Sequence, residues 1–391
     1  MAHAGERPFE FRLPEVIHVG VGSHERVVAE AARVGSGKAL VVTDPNVRAT
    51  PMARRVIELL SAAGLLRGVF GDIPGEPTST EVEKGLAALT DAKADTVVAL
   101  GGGSVIDTAK AVAMLATNGG MIVDYRGANK VKTAKLPLVA VNTTAGTGSE
   151  VTRFTIITDP VTSVKMLIAD PHLVADVAID DPLLTVTCPP LVTASTGLDA
   201  LTHAIEAYVS TRATPLTDLL ALSAIQKIGR SIRAAYRNGE DLAARTIMHL
   251  ASLEAGMAFT NASVALVHGM ARPIGAYFHQ AHGITNSVLL PHVMDWSLEG
   301  APERFADIAR ALGVSTAGLS ESEAARRAVA EVRAICRDLR IPGLTGLGID
   351  PARLMSLAPT MARDALDSGS PGNNPRVPIA EEIVELYRRA L

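Results

Sequence analysis

The sequence predicts two domains of different fold class, an α/β domain over residues 1–185 and an all-helical domain over residues 186–391. Up to about residue 185, short β-branched runs alternate with amphipathic segments, as in β-α units on a parallel sheet. Beyond that point, long alanine- and leucine-rich segments predominate, such as PLTDLLALSAIQKIGRSIRAAYRNG and ESEAARRAVAEVRAICRDL. The prolines of DDPLLTVTCPP would end the preceding element, so we expect the boundary there.

The α/β region is predicted because segments with the apolar pattern of strands alternate with segments that have the apolar spacing of helices. KALVVTD and DTVVALGGGS are typical of strands, and ADTVVALG is apolar enough to be buried on both faces. PMARRVIELLSAAG, STEVEKGLAALTDA and VIDTAKAVAMLATN have the apolar spacing of amphipathic helices. PLVAV predicts a further strand. The order favours a Rossmann-like sheet with helices on both faces.

Composition limits the classes of partner. With 48% hydrophobic residues, a net charge of -4 and a pI near 6.2, the chain lacks the basic excess that nucleic-acid binding needs, and no lysine-arginine run indicates a membrane surface. The start of the sequence, MAHAGERPFEFRLPE, is charged, so we expect no signal peptide. The sequence has no long uninterrupted apolar stretch, so we expect no membrane-spanning helix. Cys188 and Cys336 are too far apart in sequence to indicate a disulfide framework. We expect a cytoplasmic protein with small-molecule partners.

Two glycine clusters compete as a phosphate site. VGVGSHE, residues 19–25, begins like a dinucleotide fingerprint, but Glu25 replaces the third glycine and is a poor neighbour for pyrophosphate. In VVALGGGSVIDTAKA, a predicted strand runs into Gly102, Gly103 and Ser104 and then into a helix. Bare amides at a helix N-terminus attract anions, so this second cluster predicts a dinucleotide-binding turn. A glycine-rich turn without a ligand is the alternative.

A second turn, VNTTAGTGSEVTRF, follows the predicted strand PLVAV and offers Thr143, Thr144 and Thr147. Ligands of open α/β sheets bind beyond the carboxyl ends of strands, so both turns would face one crevice. Asp44 ends KALVVTD, where a carboxylate accepts hydrogen bonds from an adenosine ribose and repels a 2′-phosphate. That position favours NAD over NADP, with helix capping by Asp44 as the alternative.

Metal-ligand spacing occurs in the predicted helical domain. In STGLDALTHAIEAY, Asp199 and His203 are four residues apart, which places both on one helix face. The stretch VHGMARPIGAYFHQAHG adds three histidines. Two of them could bind one ion only if the chain reverses between them, and Pro273 and Gly275 are the residues expected to permit a turn. One carboxylate with three imidazoles suits a divalent transition ion such as Fe²⁺ or Zn²⁺.

At this point the sequence resembles a known family, the iron-containing (group III) alcohol dehydrogenases. The resemblance covers nearly the whole chain through FRLPEVIHVGVGS, GGGSVIDTAKA, TTAGTGSEVT, residues 194–208, HGMARPIG, HGITNSVLLPHV and NNPR. It implies a dinucleotide-binding α/β domain, a helical metal-binding domain, a cleft between them and a homodimer or larger homo-oligomer.

Residue by residue, the resemblance implies the metal ligands and the nicotinamide cofactor contacts. The metal ligands would be Asp199, His203, His268 and His282. The cofactor contacts would be Asp44, Gly102, Gly103, Ser104, Thr143, Thr144, Thr147 and Lys165. His279 is a candidate for proton relay, with a structural or substrate-lining role as the alternative, and His292 is interpreted as structural.

The expected activity is metal-assisted hydride transfer between a nicotinamide cofactor and a primary alcohol or aldehyde. The alternatives are a sugar-phosphate cyclase, a glycerol or glycerol-phosphate dehydrogenase, and a metal- and nucleotide-binding regulator without turnover. One residue departs from the family, since many members have histidine where this chain has Arg272. Arginine cannot act as a base at neutral pH, but it binds carboxylates and phosphonates well. Arg272 therefore predicts that the substrate is a semialdehyde or a hydroxy acid. Structural pairing of Arg272 with Glu206 is the alternative.

Overall fold

A computed structural model describes residues 8–161 and 164–391. The first seven residues of the charged N-terminal stretch therefore lie outside the described residues. The described chain divides into two compact units, one formed by Arg12–Cys188 and the other by Pro189–Leu391 together with residues 8–11. The observed division thus follows Cys188, a few residues beyond the predicted boundary, and residues 8–11 group with the helical unit.

The strands all belong to the first unit. They are β1 Val16–Val19, β2 Ala39–Val42, β3 Leu66–Phe70, β4 Thr96–Gly101, β5 Gly127–Ala128, β6 Leu138–Asn142, β7 Phe154–Asp159, β8 Val164–Ala169 and β9 Val177–Asp180. The helices of this unit are α1 Val27–Val34, α2 Pro45–Arg48, α3 Pro51–Ala62, α4 Ser79–Asp91 and α5 Gly103–Asn118. The predicted alternation of strands and helices is therefore observed.

The main sheet is parallel and has the strand order β1-β9-β6-β4-β2-β3. Its core strands bury both faces, because alternate residues contribute to two separate apolar clusters. In β4, Val97 and Ala99 belong to one cluster, whereas Val98 and Leu100 belong to the other. This explains why the strand reads as a continuous apolar run rather than an alternating one. A smaller sheet has the order β5-β8-β7, with β7 and β8 antiparallel.

Local capping fixes where several helices of the first unit begin. The Thr50 side chain accepts a hydrogen bond from the Ala53 amide at the start of α3. Thr78 and Glu81 form a reciprocal capping box at the start of α4. Such caps satisfy amides that have no acceptor within the helix. The helix α5, which follows the glycine cluster, begins without any side-chain cap.

The second unit is built from helices. They are α6 Pro190–Val209, α7 Pro215–Arg237, α8 Leu242–Ala262, α9 Leu266–Phe278, α10 His282–Ser297, α11 Pro302–Ala311, α12 Glu321–Asp338, α13 Pro351–Asp367 and α14 Ala380–Arg389. The helices α6, α7 and α8 pack against one another, and α9 packs against α10 and α13. Most of α6 is buried, including the stretch from Gly197 to Val209. The predicted Asp199 and His203 therefore lie in the interior of this unit.

Helix α9 does not turn at the expected residues. It continues through Pro273 and Gly275 to Phe278, so the expectation that these two residues form the reversal is wrong. The chain changes direction at His279, which has φ 55 in the left-handed region, and α10 begins at His282. A proline inside a helix removes one hydrogen bond, whereas a left-handed residue redirects the backbone outright.

The helices within residues 8–161 and 164–391 differ in length and apolar content. No single helix among them has both the length and the apolar composition to cross a bilayer. Leu242–Ala262 and Leu266–Phe278 reach those limits only as a pair, and they are bent by 101° at the break between them. The pair meets the criteria for a membrane span by length and composition only.

Candidate functional site

The predicted phosphate turn lies where β4 runs into α5. Gly102 is the N-cap of α5, and no side chain accepts hydrogen bonds from the first helical amides. These amides, beginning with Gly103 and Ser104, have no acceptor within a helix. The helix dipole also makes this end electropositive. The turn can therefore bind an anion through its backbone.

The threonine turn after β6 packs directly against this glycine turn. A Cβ atom on Gly102 would lie 3.0 Å from the Thr144 side chain, and one on Gly103 would lie 2.8 Å from that of Thr147. Only glycine allows the two turns to approach so closely. The Thr143 hydroxyl is buried and has no hydrogen-bond partner among the described residues. The structure thus brings together the predicted glycine and threonine groups at the carboxyl ends of β4 and β6.

Asp44 and Lys165, the other two predicted cofactor contacts, have partners within the protein. Asp44 is the N-cap of α2, and its Oδ1 accepts hydrogen bonds from the amides of Asn46 at 2.8 Å and Val47 at 2.9 Å. Lys165 lies on β8, and its Nζ forms an ion pair with Glu76. The structure therefore supports the capping role of Asp44, which leaves Oδ2 outside the cap.

The four predicted metal ligands come from three helices of the second unit. Asp199 and His203 lie on α6, His268 lies on α9, and His282 begins α10. The Nε2 atoms of His203 and His268 are 2.9 Å apart. One donor atom from each of Asp199, His268 and His282 lies within 4.8 Å of the other two. The structure thus clusters Asp199, His268 and His282, with the reversal at His279 supplying His282, and it places His203 beside His268.

Burial shifts the pKa values of two of these donor side chains. Asp199 is 2% exposed, and burial raises the pKa of its carboxyl group to about 7. His268 is 3% exposed, and burial together with the charge of Arg272 keeps its pKa well below the usual value. A neutral imidazole keeps a lone pair for a metal ion. A cation among these groups would offset the desolvation of the Asp199 carboxylate.

The side-chain amide of Asn286 contacts three of the donor atoms. Its Nδ2 lies 2.6 Å from Asp199 Oδ1, 3.1 Å from His268 Nε2 and 3.1 Å from His282 Nε2. One amide nitrogen has two protons and cannot satisfy three acceptors at once. Acceptors that outnumber the available protons are better satisfied by a cation. The donor set therefore fits a divalent transition metal ion.

Glu206 connects α6 to α9 at this centre. Its carboxylate accepts hydrogen bonds from the amides of Ala265 and Val267, at the start of α9, and contacts His268 Nδ1 at 2.6 Å. A carboxylate at a helix N-terminus is stabilised by the free amides and the helix dipole. The contact with Nδ1 orients the imidazole so that Nε2 faces the other donors.

Sequence reasoning did not find the structural roles of Glu206 and Asn286. A signal was present, since Glu206 follows His203 by three residues and Asn286 follows His282 by four, the spacings of one helix face. His279, a predicted catalytic residue, is exposed and forms the left-handed end of α9. Its backbone role is therefore clear from the structure.

Comparison with known proteins identifies the family. A model described as iron-containing alcohol dehydrogenase matches residues 14–182, and one described as Fe-containing alcohol dehydrogenase family, C-terminal, matches residues 193–391. The chain belongs to the iron-containing alcohol dehydrogenases. The family, fold class and enzyme class predicted from the sequence are thereby confirmed.

Relatives of this alcohol dehydrogenase align over nearly its whole length. It is 40% identical to 1,3-propanediol dehydrogenase of Klebsiella pneumoniae over 387 residues, which cover 98% of this chain and 99% of the relative. It is 39% identical to NAD-dependent methanol dehydrogenase of Bacillus methanolicus over 382 residues, or 97% and 99% of the two chains. A crystal structure of 1,3-propanediol oxidoreductase superposes with a TM-score of 0.95 at 39% identity, covering 98% of this chain and 100% of that one.

Proposed function

We propose that this protein transfers a hydride between NAD and a primary alcohol or aldehyde at a site that depends on a divalent metal ion. In the reducing direction, an aldehyde, NADH and a proton give the alcohol and NAD⁺. The observation that carries the proposal is the convergence of a buried carboxylate and two imidazoles, those of Asp199, His268 and His282, with His203 Nε2 lying 2.9 Å from His268 Nε2. The family and the relatives agree with this chemistry.

Asp199, His203, His268 and His282 would hold the ion, which we propose to be Fe²⁺, with Zn²⁺ as the alternative. When bound, such an ion lowers the pKa of an alcohol and polarises an aldehyde carbonyl.

The chain's own groups prepare the ligand geometry. Glu206 accepts from His268 at Nδ1, which leaves the Nε2 lone pair directed toward the other donors. Asn286, which is fully buried, bridges Asp199 and His282 through its amide group. Asp199, His203 and His268 are buried, which limits the contact of these three donors with bulk water.

For the cofactor, we propose that the amides of the glycine turn bind the pyrophosphate and that the threonine turn adds hydroxyl groups. The absence of a side-chain cap on α5 supports the first assignment. The buried, unpartnered hydroxyl of Thr143 supports the second. NAD is preferred over NADP because Asp44 would repel a 2′-phosphate. Lys165 is retained as a cofactor contact and His279 as a proton-relay candidate on the resemblance alone.

The decisive experiment follows absorbance at 340 nm while the purified protein, loaded with Fe²⁺ or Zn²⁺, is offered NADH and a panel of aldehydes. We expect metal-dependent oxidation of NADH, which is lost after chelation and restored by adding the ion. A sugar-phosphate cyclase or a regulator without turnover would oxidise no NADH with any aldehyde. A cytoplasmic location and a homodimer or larger homo-oligomer remain predictions from the sequence.

A further inference from the structure

Arg272 places a positive charge beside the metal-ligand cluster. It lies one helical turn after His268 on α9, so both side chains extend from the same helix face. Its Nη1 donates a hydrogen bond to the Ser370 hydroxyl at 3.0 Å. Its Nε is buried and has no hydrogen-bond partner among the described residues. The guanidinium therefore keeps part of its hydrogen-bonding capacity unused.

Arg272 has no carboxylate within ion-pair distance among the described residues, although the charge of nearby Glu206 opposes the lowering of its pKa by burial. The alternative expected from the sequence was an ion pair with Glu206, and the structure does not form it. The Glu206 carboxylate instead accepts from two backbone amides of α9 and contacts His268 Nδ1. None of the ion pairs formed within residues 8–161 and 164–391 includes Arg272. Arg272 is half-buried, and an anionic ligand would stabilise a half-buried cation that forms no ion pair.

We propose that Arg272 binds an anionic oxygen group on the substrate, which makes it the specificity-determining residue for aldehydes and alcohols with a carboxylate or phosphonate tail. The inference rests on the proposed function, since it assigns a substrate class to that same site. A guanidinium forms paired hydrogen bonds with such groups, and Ser370 holds one of its nitrogens in place.

Probes for this assignment need an aldehyde and an anionic group on the same small molecule. A four-carbon semialdehyde carries both. We therefore choose 4-oxobutanoate as the anionic probe and its methyl ester as a neutral probe of nearly the same size.

The test measures kcat/KM with NADH for both probes in the metal-loaded wild type, Arg272→Gln and Arg272→Lys. A charge-assisted hydrogen bond corresponds to roughly tenfold or more in affinity. We expect the wild type to favour 4-oxobutanoate over the ester by about that factor. In Arg272→Gln, kcat/KM should fall for 4-oxobutanoate and stay unchanged for the ester, so the preference is lost. Arg272→Lys should recover part of the preference. Arg353→Gln, which alters an exposed arginine over the Phe278 ring, is the matched control and should behave as wild type.

Equal losses on both probes in Arg272→Gln would overturn the assignment. So would a wild type that turns over the ester as well as the anion, and this measurement requires no variant to fold. Failure of the proposed function is a different result, because then the wild type oxidises NADH with neither probe. Circular dichroism and the ester activity establish that each variant is folded.

Discussion

The two proposed ligand-binding regions of this protein are built in opposite ways. The glycine turn of the first unit consists of consecutive residues, with the strand, the turn and the helix following one another within Thr96–Asn118. The metal-ligand cluster of the second unit takes its donors from three helices, and the chain between His203 and His268 includes two further helices. The glycine turn depends on local backbone geometry, whereas the metal-ligand cluster depends on tertiary packing.

This difference determines which residues support each site. At the cofactor turns, the support is steric, since glycine leaves room for the neighbouring threonines. At the metal-ligand cluster, the support is polar, because Glu206 holds the start of α9 and Asn286 contacts three of the donors. Substitutions should therefore affect cofactor binding and metal binding separately, and the predictions below test this separation.

The largest effect is expected for the metal ligands themselves. Structural zinc sites of four donors bind their ion with roughly 10–16 kcal/mol, so the loss of one proposed donor in His268→Ala should weaken binding on the order of a hundredfold or more. Bound metal, measured by elemental analysis after dialysis, and activity should fall together. Asp199→Ala, His203→Ala and His282→Ala should behave alike, whereas His292→Ala should retain metal. Stoichiometric metal in any two of the four ligand variants would contradict the assignment.

A somewhat smaller effect is expected for the carboxylate that orients His268. Glu206→Gln keeps the size of the side chain but removes its charge, and loss of such a partner typically lowers metal affinity by about 10- to 100-fold. Competition with a chelator measures this affinity. The control is Glu254→Gln, which breaks an ion pair with Lys227 elsewhere in the same unit. An unchanged affinity in Glu206→Gln would mean that helix packing alone orients the imidazole.

A substitution in the glycine turn should weaken cofactor binding without changing the metal content of the protein. In Gly103→Ala the new Cβ would lie 2.8 Å from the Thr147 side chain, and such overpacking costs about 1–3 kcal/mol. We expect roughly tenfold weaker NADH binding, measured by fluorescence titration, with bound metal at the wild-type level. Gly75→Ala is the control, because nothing lies within 4 Å of a Cβ there. Loss of metal in Gly103→Ala would break the separation between the two regions.

The smallest effect concerns the choice between NADH and NADPH. Asp44→Gly should raise activity with NADPH relative to NADH by several-fold, because it removes the repulsion of a 2′-phosphate. It should also cost a few tenths of a kcal/mol of helix stability through loss of the side-chain cap on α2. Asp44→Asn separates the two roles, since asparagine caps a helix but carries no charge. If neither variant alters the ratio of activities with the two cofactors, capping is the only role of Asp44.

The sequence alone determined the parts of this protein that depend on local order. The strand β4, the glycine turn and α5 form one continuous segment whose apolar run, glycines and helical period are each readable without a partner. The spacing of Asp199 and His203 is readable for the same reason, because both lie on α6. The resemblance to a family supplied the remaining ligands.

Only the tertiary structure decided which residues meet across helices. Pro273 and Gly275 looked like the reversal between the histidines, but α9 is buried in the helical unit, and the left-handed residue is His279. The partners of His268 are likewise set by packing, because Glu206 reaches it from α6 and Asn286 from α10. Contacts between helices distant in sequence leave no periodic signal in the chain, since any helix face of suitable shape could have supplied them.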